Sequence, residues 1–244
     1  MMSRLLGAIG IVGIILLFLP LAVLALHAGS FTRSLSNPQN LSALRTTLTS
    51  GILALAVDVL LGVPLSWFLG RRVRPGWQRF WGTCLIIPML MPPLVLGLVL
   101  AYLAGPVSPI TLTNTFPGLV LAEVYESLPF FVFAAWGYLR TIPRSLEEDA
   151  WALGKSPRET FWYVLWPLSV TGFAVAAAMA WARIVGAFGG PIVVAYHPSA
   201  LPVQIWIALE EQGLPAALGL SLWLIVAALP LPVWLNWRYS HVNR

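Results

Sequence analysis

Charged residues are scarce in this sequence, and their scarcity decides its broad class. Only 9% of the 244 residues are Asp, Glu, Lys or Arg, whereas 59% are hydrophobic. A soluble domain carries about 25% charged residues. A chain so poor in charge therefore has most of its length in lipid or packed against other apolar helices.

Cysteine and histidine are also rare, which removes two kinds of site. The one cysteine, Cys84, has no partner within the chain, so no internal disulfide is possible. The three histidines, His27, His197 and His241, are far apart, and none has a second ligand nearby in sequence. Because metal sites use closely spaced ligand pairs, no metal site is predicted.

Signatures of catalysis and of nucleic-acid binding are missing as well. Gly154-Lys155-Ser156 resembles only the tail of a phosphate-binding loop, because the glycine required five residues earlier is Asp149. No nucleophile–base pair is present, so no catalytic residue is predicted. Basic and aromatic residues do not interleave as in a nucleic-acid binder, and the net charge of +5 is better explained by helix orientation in a membrane.

Long hydrophobic runs dominate what remains, and a membrane-spanning helix needs about 20 such residues. The runs are Leu5–Leu26, Thr46–Leu69, Trp81–Leu103, Pro117–Leu139, Leu168–Val185 and Pro215–Trp234. No small-residue cleavage site follows the first run, so it is interpreted as a retained span and not as a signal peptide. The sequence predicts an all-α integral membrane protein with six transmembrane helices in contact with lipid. Residues 1–244 form one domain, with a peripheral first helix and outer loop at 1–44 and core helices at 45–236.

Basic residues fall almost entirely on one side of these runs. The inner segments hold Arg4, Arg71, Arg72, Arg74, Arg79, Arg140, Arg144, Lys155, Arg158, Arg238 and Arg244. The outer segments hold only Arg33 and Arg45. Because cytoplasmic loops carry the excess of Lys and Arg, both termini are predicted to be cytoplasmic.

Prolines interrupt the third run. Trp81–Leu103 contains Pro88, Pro92 and Pro93, and adjacent prolines remove two backbone donors and kink a helix. Such a break persists in a membrane where neighbouring helices or a water-filled cavity satisfy the freed carbonyls. Pro92 and Pro93 are therefore candidates for the wall of a translocation path. The alternative is that they reflect only the higher frequency of proline in membrane helices.

The polar interruption Arg140–Pro167 has the sequence of a helical hairpin. Ser145–Glu148 and Ser156–Glu159 each fit Ser-x-x-Glu, the capping box at the start of a helix. Gly154, between them, stands where a left-handed residue ends a helix. The segment is predicted to form two short helices hinged at Gly154.

The first of these helices has one apolar face, formed by Leu146, Ala150 and Leu153 at helical spacing. Glu147–Asp149 lies mostly off that face and forms an acidic patch. A solvated linker is the alternative, but a linker seldom combines capping boxes, a glycine stop and an apolar stripe. A docking hairpin on the cytoplasmic face is favoured.

The order of residues in this hairpin resembles a known family. Glu148-Asp149-Ala150, then Gly154, then Val164-x-Trp166-Pro167 is similar to the EAA loop of binding-protein-dependent ABC permeases. The family pattern is E-A-A, three residues, G, nine residues, I-x-L-P, from which Asp149 and Trp166 depart. The resemblance implies a MetI-like ABC importer permease fold, with residues 140–167 as the EAA hairpin of one transmembrane permease domain.

Partners and cofactors follow from the same resemblance. It implies that two copies of a separate ATPase use ATP and Mg, so that this chain is no enzyme and has no cofactor of its own. The implied ATPase-docking residues are Glu147, Glu148, Asp149, Ala150, Gly154, Lys155 and Ser156. It also implies a second permease copy in a homodimer, in the inner (cytoplasmic) membrane of a prokaryote. An extracytoplasmic substrate-binding protein would approach Ser30–Asn40, Gly105–Phe116 and Gly186–Leu214.

Three further segments look like one branch of that family. Ile87–Gly97, Glu123–Phe131 and Ala180–Trp206 are similar to segments of molybdate, tungstate and sulfate permeases. The resemblance implies an oxyanion cargo, tungstate or molybdate first and sulfate next, with a polyamine or ferric iron as the alternative. Ala187 departs from the branch, which usually has Glu before Phe-Gly.

Four ionisable residues lie within the predicted spans: Asp58, Glu123, Glu126 and Arg183. A charge at the centre of a membrane helix costs about 2.5–3.5 kcal/mol, so each is expected to have a partner or to face water. The two glutamates share a helix face, and Arg183 lies at a comparable depth. Arg183 is thus predicted to pair with Glu123 or Glu126, or to attract an oxyanion on the path, while the glutamates alone would attract a cation. All three residues are candidates for the translocation path.

Two other classes of protein compete with a permease. A membrane-embedded enzyme would use the glutamate pair or His197 for acid–base chemistry, but no second carboxylate cluster supports it. A stand-alone secondary transporter would contain inverted repeats, whereas the two halves of this sequence show no matching broken helices. Such a transporter would also have no use for the hairpin.

Overall fold

The computed structural model describes residues 2–26, 31–34, 36–106 and 111–239, and every regular element in these ranges is helical. The α-helices are α1 Met2–Leu26, α2 Phe31–Ser34, α3 Pro38–Trp67, α4 Pro75–Leu90, α5 Pro93–Leu103, α6 Phe116–Leu139, α7 Ser145–Ala152, α8 Pro157–Thr160, α9 Trp166–Val185, α10 Gly189–Val194, α11 Leu201–Gln212, α12 Leu214–Ala228 and α13 Pro230–Tyr239. Two π-helical turns, Phe68–Arg72 and Phe161–Leu165, follow α3 and precede α9. His27, His241 and Arg244 lie outside the described residues, as do parts of Ser30–Asn40 and Gly105–Phe116.

Five helical stretches are long and apolar enough to cross a membrane. They are Ile9–Leu26, Pro38–Arg72, Phe116–Leu139, Pro157–Val185 and Leu214–Leu235. The pair α4 and α5 is long and apolar enough only when taken together, and the two helices are bent by 94° at their junction, so they form either a broken sixth span or a re-entrant loop. The bend confirms the predicted proline break, because Met91 and Pro92 have extended backbone and α5 begins at Pro93. The chain is a multi-pass, all-α membrane protein, as predicted.

Helix boundaries differ from the prediction where polar residues extend a helix beyond its apolar run. The second run is predicted to start at Thr46, but α3 starts at Pro38, because the Asn37 side chain caps it by accepting a hydrogen bond from the Gln39 backbone. Arg45, which the prediction places in an outer segment, therefore lies within α3.

The fifth and sixth runs also differ from simple spans. No residue between Pro157 and Val185 leaves the helical state, so α8, the second π-helical turn and α9 form one continuous rod. The sixth run divides at Leu229, because Pro230 lacks a backbone N–H and starts a new helix.

Helix α6 lies at the centre and packs against α3 on one side and α9 on the other. Its residues Phe131 and Leu139 are fully buried. Gly62 of α3 faces Phe131, and Gly172 of α9 faces Tyr138, at positions where a Cβ atom would collide with the ring. Small residues of this kind let membrane helices approach closely.

Helix α1 stands apart from this core. Its described side chains are exposed, except that of Leu24, which is half-buried. It contacts α12. The rest of its apolar surface is thus available to lipid.

We expect Gly62→Ala to lower thermal stability. The added methyl group would collide with the buried Phe131 ring, and overpacking of a core costs about 1–3 kcal/mol. The measurement is the temperature at which the detergent-solubilised protein loses its monodisperse gel-filtration peak. Gly137→Ala, on an exposed face of α6 where a Cβ meets nothing within 4 Å, is the control. Equal transition temperatures for the two variants would contradict close packing of α3 on α6.

Candidate functional site

The polar segment 140–167 folds into the predicted two helices, α7 and α8, hinged at a glycine. Gly154 has a left-handed φ of 80°. Its N–H donates to the Trp151 carbonyl (2.9 Å), and the Lys155 N–H donates to the Ala150 carbonyl (3.0 Å). These two bonds define the Schellman motif, which closes a helix end and reverses the chain. The predicted hinge at Gly154 is confirmed.

The two predicted capping boxes have different outcomes. In Ser156–Glu159 the box is complete: the Glu159 N–H donates to Ser156 Oγ (3.3 Å), and the Ser156 N–H donates to Glu159 Oε2 (2.9 Å). The prediction of a capping box in Ser145–Glu148 is wrong. Residue Arg144 already has helical backbone angles, and its carbonyl accepts the backbone bonds that begin α7. Ser145 is therefore the first helical residue and not the cap.

One carboxylate of the predicted acidic patch faces inward. Glu147 accepts a hydrogen bond at 2.7 Å from the Arg71 guanidinium, and these side chains are 19% and 6% exposed respectively. The other terminal nitrogen of Arg71 donates to the carbonyls of Leu139 and Ile142. Arg71 thus fastens α7 to the ends of α3 and α6. Glu147 is thus paired within the chain, and its predicted contact with an ATPase stays a prediction.

Other predicted docking residues divide between inner and outer positions. Ala150 is buried, whereas Glu148 and Asp149 are exposed. Lys155 is exposed and lies 3.5 Å from Glu159. Of the predicted apolar face, Ala150 is buried and Leu146 half-buried, whereas Leu153 is 83% exposed. The exposed outer face of the hairpin is therefore a leucine beside carboxylates and an ammonium group. We call Glu148, Asp149, Leu153 and Lys155 the outer face.

A second group of polar residues is buried between α3 and α6. Asp58 and Glu123 are 0% and 1% exposed. The Ser127 hydroxyl donates to Asp58 Oδ2 at 2.5 Å, and the Ser50 hydroxyl donates to Glu123 Oε1 at 2.8 Å. Each carboxyl group also has one oxygen with no hydrogen-bond partner among the described residues. These groups link α3 to α6, as expected for polar side chains that hold membrane helices together.

The predicted ion pair of Arg183 forms with Glu126. Arg183 Nη2 lies 3.7 Å from Glu126 Oε2, and the Arg183 guanidinium also lies over the Phe130 ring. Glu126 accepts a second bond at 2.7 Å from the backbone N–H of Gly190. Glu123 is instead bonded to Ser50, so it is not the partner of Arg183. Pairing is confirmed for Glu126, and a role of these residues in a path stays a prediction.

The short helix α10 brings several path candidates together. Gly190 of α10 meets Glu126, and Gly189 lies against Pro93 at the start of α5, where a Cβ atom would collide. Pro92 is exposed beside them. The sequence predicts an outer segment over Gly186–Leu214 and does not predict the helix α10 within it. The run Gly189-Gly190-Pro191 is a signal for such a close approach, since only glycine fits against another backbone.

The sequence of this chain matches a known protein family. The profile of the family described as "Binding-protein-dependent transport system inner membrane component" matches residues 62–244. This chain belongs to that family. It is therefore an ABC transporter permease and not an enzyme, as predicted.

Curated relatives within the family cover most of this permease. A probable molybdenum ABC transporter permease protein of Haloferax volcanii is 32% identical over 222 residues, 87% of this chain and 82% of the relative. The molybdate/tungstate transport system permease protein WtpB of Pyrococcus furiosus is 28% identical, over 84% of this chain and 80% of the relative. A probable sulfate transport system permease protein of Zygnema circumcarinatum is 27% identical, over 93% and 85%. The resemblance to this branch is confirmed.

Solved structures share the fold of the permease at low identity. A bacterial ABC transporter involved in the import of the acidic polysaccharide alginate matches with a TM-score of 0.77 at 16% identity, over 99% of this chain and 97% of that chain. The inward-facing MetNI methionine ABC transporter matches with a TM-score of 0.67 at 18% identity, over 83% and 95%. The predicted MetI-like importer permease fold is confirmed.

Proposed function

We propose that this permease forms the translocation path of an ATP-driven importer for molybdate or tungstate, with sulfate as the second candidate. The hairpin is the observation that carries the proposal. Its inner side is fastened by Arg71 and Glu147, while its outer face is exposed and, among the described residues, forms one ion pair, between Lys155 and Glu159. A helix pair fastened to the spans, with an exposed leucine and charges on its outer face, is suited to carry motion from a separate ATPase into the spans.

The cargo is proposed from the named relatives. Three of them are named for molybdenum, molybdate/tungstate or sulfate transport, and all of these cargoes are oxyanions or are carried as such. The relatives named above give no such support to a polyamine or ferric iron, the cationic alternative. In this proposal Arg183, whose side chain is 36% exposed, presents part of its positive charge beside the path, with Glu126 fixing its orientation.

The proposed assembly follows the same logic. Two permease copies form a homodimer around one path, two ATPase copies use ATP and Mg at the hairpins, and a binding protein delivers cargo to the opposite face. Both termini are cytoplasmic, in the inner membrane of a prokaryote. No chemistry is required of this chain, because alternating access needs only that the hairpin and the spans move together.

The direct test is uptake by the reconstituted transporter. The permease is co-expressed with the ATPase and binding protein that accompany it and is placed in vesicles. ATP is enclosed in the vesicles, and the binding protein and its cargo are added outside. We expect ATP-dependent accumulation of molybdenum or tungsten, measured by mass spectrometry of the washed vesicles. Sulfate accumulation that is not reduced by molybdate would reassign the cargo, and the absence of any co-purifying ATPase would contradict the motor.

Leu153→Ser is expected to weaken attachment of the ATPase. Burial of a leucine side chain contributes about 1.5–3 kcal/mol, so the affinity should fall by roughly ten- to a hundredfold. The measurement is the amount of ATPase retained on the immobilised permease across a dilution series. Leu214→Ser is the matched control, because this leucine is 60% exposed and lies outside the hairpin. Equal retention by both variants would show that Leu153 is not an anchor.

A further inference from the structure

Two grooves meet where α3 ends beside the hairpin. The first, the basic groove, has a volume of about 590 Å³, and its lining includes Trp67, Arg71, Arg72, Glu147, Trp151 and Arg158. The second, the apolar groove, has a volume of about 360 Å³, and its lining includes Val63, Pro64, Phe68 and Trp166. Both are lined by Trp67, Arg72 and Phe161, so they adjoin, with Arg72 facing both and the Trp67 and Phe161 rings in contact between them.

The basic groove carries uncompensated positive charge. Its lining holds three guanidinium groups and one carboxylate, and Glu147 neutralises Arg71 alone. Arg72 and Arg158 form no ion pair in the described part of the chain. The Arg71 side chain is only 6% exposed, and its Nε atom has no hydrogen-bond partner among the described residues. A groove of this kind is suited to an anion with several acceptor oxygens.

The apolar groove runs away from that charge along a membrane span. Val63, Pro64 and Phe68 belong to the stretch Pro38–Arg72, which is long and apolar enough to cross a membrane. Exposed aromatic residues lie nearby in the chain: Trp151 lines the basic groove, and Trp162 and Tyr163 follow Phe161, which lines both grooves. Because tryptophan and tyrosine concentrate at the membrane–water interface, we expect the junction to lie at headgroup depth. The joined grooves are thus polar at the interface and apolar toward the hydrocarbon.

From these observations we infer that the joined grooves bind one anionic phospholipid. Its phosphate lies between Arg72 and Arg158, and one acyl chain follows the apolar groove past Val63 and Phe68. Free phosphate would fill only the basic groove and leave the apolar groove empty. The zwitterionic lipid phosphatidylcholine brings a quaternary ammonium group that the guanidinium groups repel, whereas anionic headgroups are attracted to juxtamembrane arginines.

This lipid would bridge two moving parts. Arg72 ends the π-helical turn after α3, and Arg158 belongs to α8 of the hairpin. A phosphate held by both would brace the hairpin against α3 beside the Arg71–Glu147 pair. The inference concerns binding to this chain alone and does not depend on the cargo or on the proposed function.

Native mass spectrometry of the full chain, purified with its co-purifying subunits, tests the proposal. After equilibration with equal amounts of phosphatidylglycerol and phosphatidylcholine, we expect the wild type to retain phosphatidylglycerol preferentially. Arg72→Gln with Arg158→Gln should reduce that retention by about tenfold or more. Arg74→Gln with Arg79→Gln, which removes two exposed arginines that do not line the grooves, should leave it unchanged.

Three outcomes would overturn the proposal. They are equal retention of phosphatidylcholine, unchanged retention in the Arg72/Arg158 variant, and displacement of the lipid by glycerol phosphate or inorganic phosphate at equal concentration. The last would show a free-phosphate site in which the acyl chain contributes nothing. If the double variant is not monodisperse, Arg158→Gln alone is measured, because this exposed side chain makes no internal ion pair in the described residues, and its retention should still fall by about threefold.

Discussion

Arg71→Met is expected to abolish ATP-driven uptake by detaching the hairpin from the spans. The guanidinium donates to the Glu147 carboxylate and to the carbonyls of Leu139 and Ile142. Its removal leaves a largely buried carboxylate and two carbonyls without donors. Breaking a buried pair by removal of one partner costs about 3–5 kcal/mol, which is a large part of the stability of a domain.

The measurement is uptake together with ATP hydrolysis by the assembled transporter. We expect hydrolysis to continue where the ATPase stays attached, while uptake per ATP falls to background. Arg71→Lys should recover part of the uptake, since lysine keeps the charge but lacks the planar fork that serves three acceptors. Arg79→Met, at an exposed arginine with no ion pair in the described residues, is the control. Full uptake by Arg71→Met would remove this residue from the coupling mechanism.

Arg183→Met is expected to produce the second large loss, at the other end of α9. It leaves the Glu126 carboxylate, 1% exposed, with only the Gly190 N–H as a partner. Because Arg183 is itself 36% exposed and partly screened by water, the cost in stability is reduced to about 1–3 kcal/mol. Uptake should fall by at least about tenfold.

A second substitution separates pairing from a role in the path. Arg183→Met with Glu126→Gln removes both charges and keeps the amide able to accept from Gly190, so stability should return. If uptake also returns, Arg183 acts only as the partner of Glu126; if it does not, Arg183 attracts the oxyanion. Glu123→Gln in the same background is the control, because Glu123 is bonded to Ser50 and should rescue neither quantity. Rescue by Glu123→Gln would contradict the geometry of the pair.

Features set by local sequence are the ones that the sequence predicts well. The Gly154 hinge and the Ser156–Glu159 capping box each arise from hydrogen bonds between residues a few positions apart. The break at Pro92 follows from the missing N–H of proline. The Arg183–Glu126 pair is predictable in kind, because a charge at membrane depth needs a partner.

The sequence does not predict the contacts between residues that are far apart in the chain. Arg71 and Glu147 are brought together only by the packing of α3 against α6, and a positive-inside pattern already accounts for an arginine at that position. The rotation of α7 about its axis decides that Glu147 faces inward and that Leu153 is exposed. The hydrogen bond between Arg71 and Glu147 fixes that rotation. The capping box predicted at Ser145 does not form for a similar reason, because the preceding residue Arg144 already has helical backbone angles.

The unbroken run from Pro157 to Val185 acts as a lever arm. With a rise of 1.5 Å per residue it is about 40 Å long, so a tilt of about ten degrees at one end displaces the other by about 7 Å. Thr160 and the π-helical turn stand at the hairpin end, and Arg183 stands near the tip. Because every residue between them is helical, a push on the hairpin by the proposed ATPase would be carried along this run. It would reach the salt bridge of Arg183 and, through Glu126, the backbone of α10.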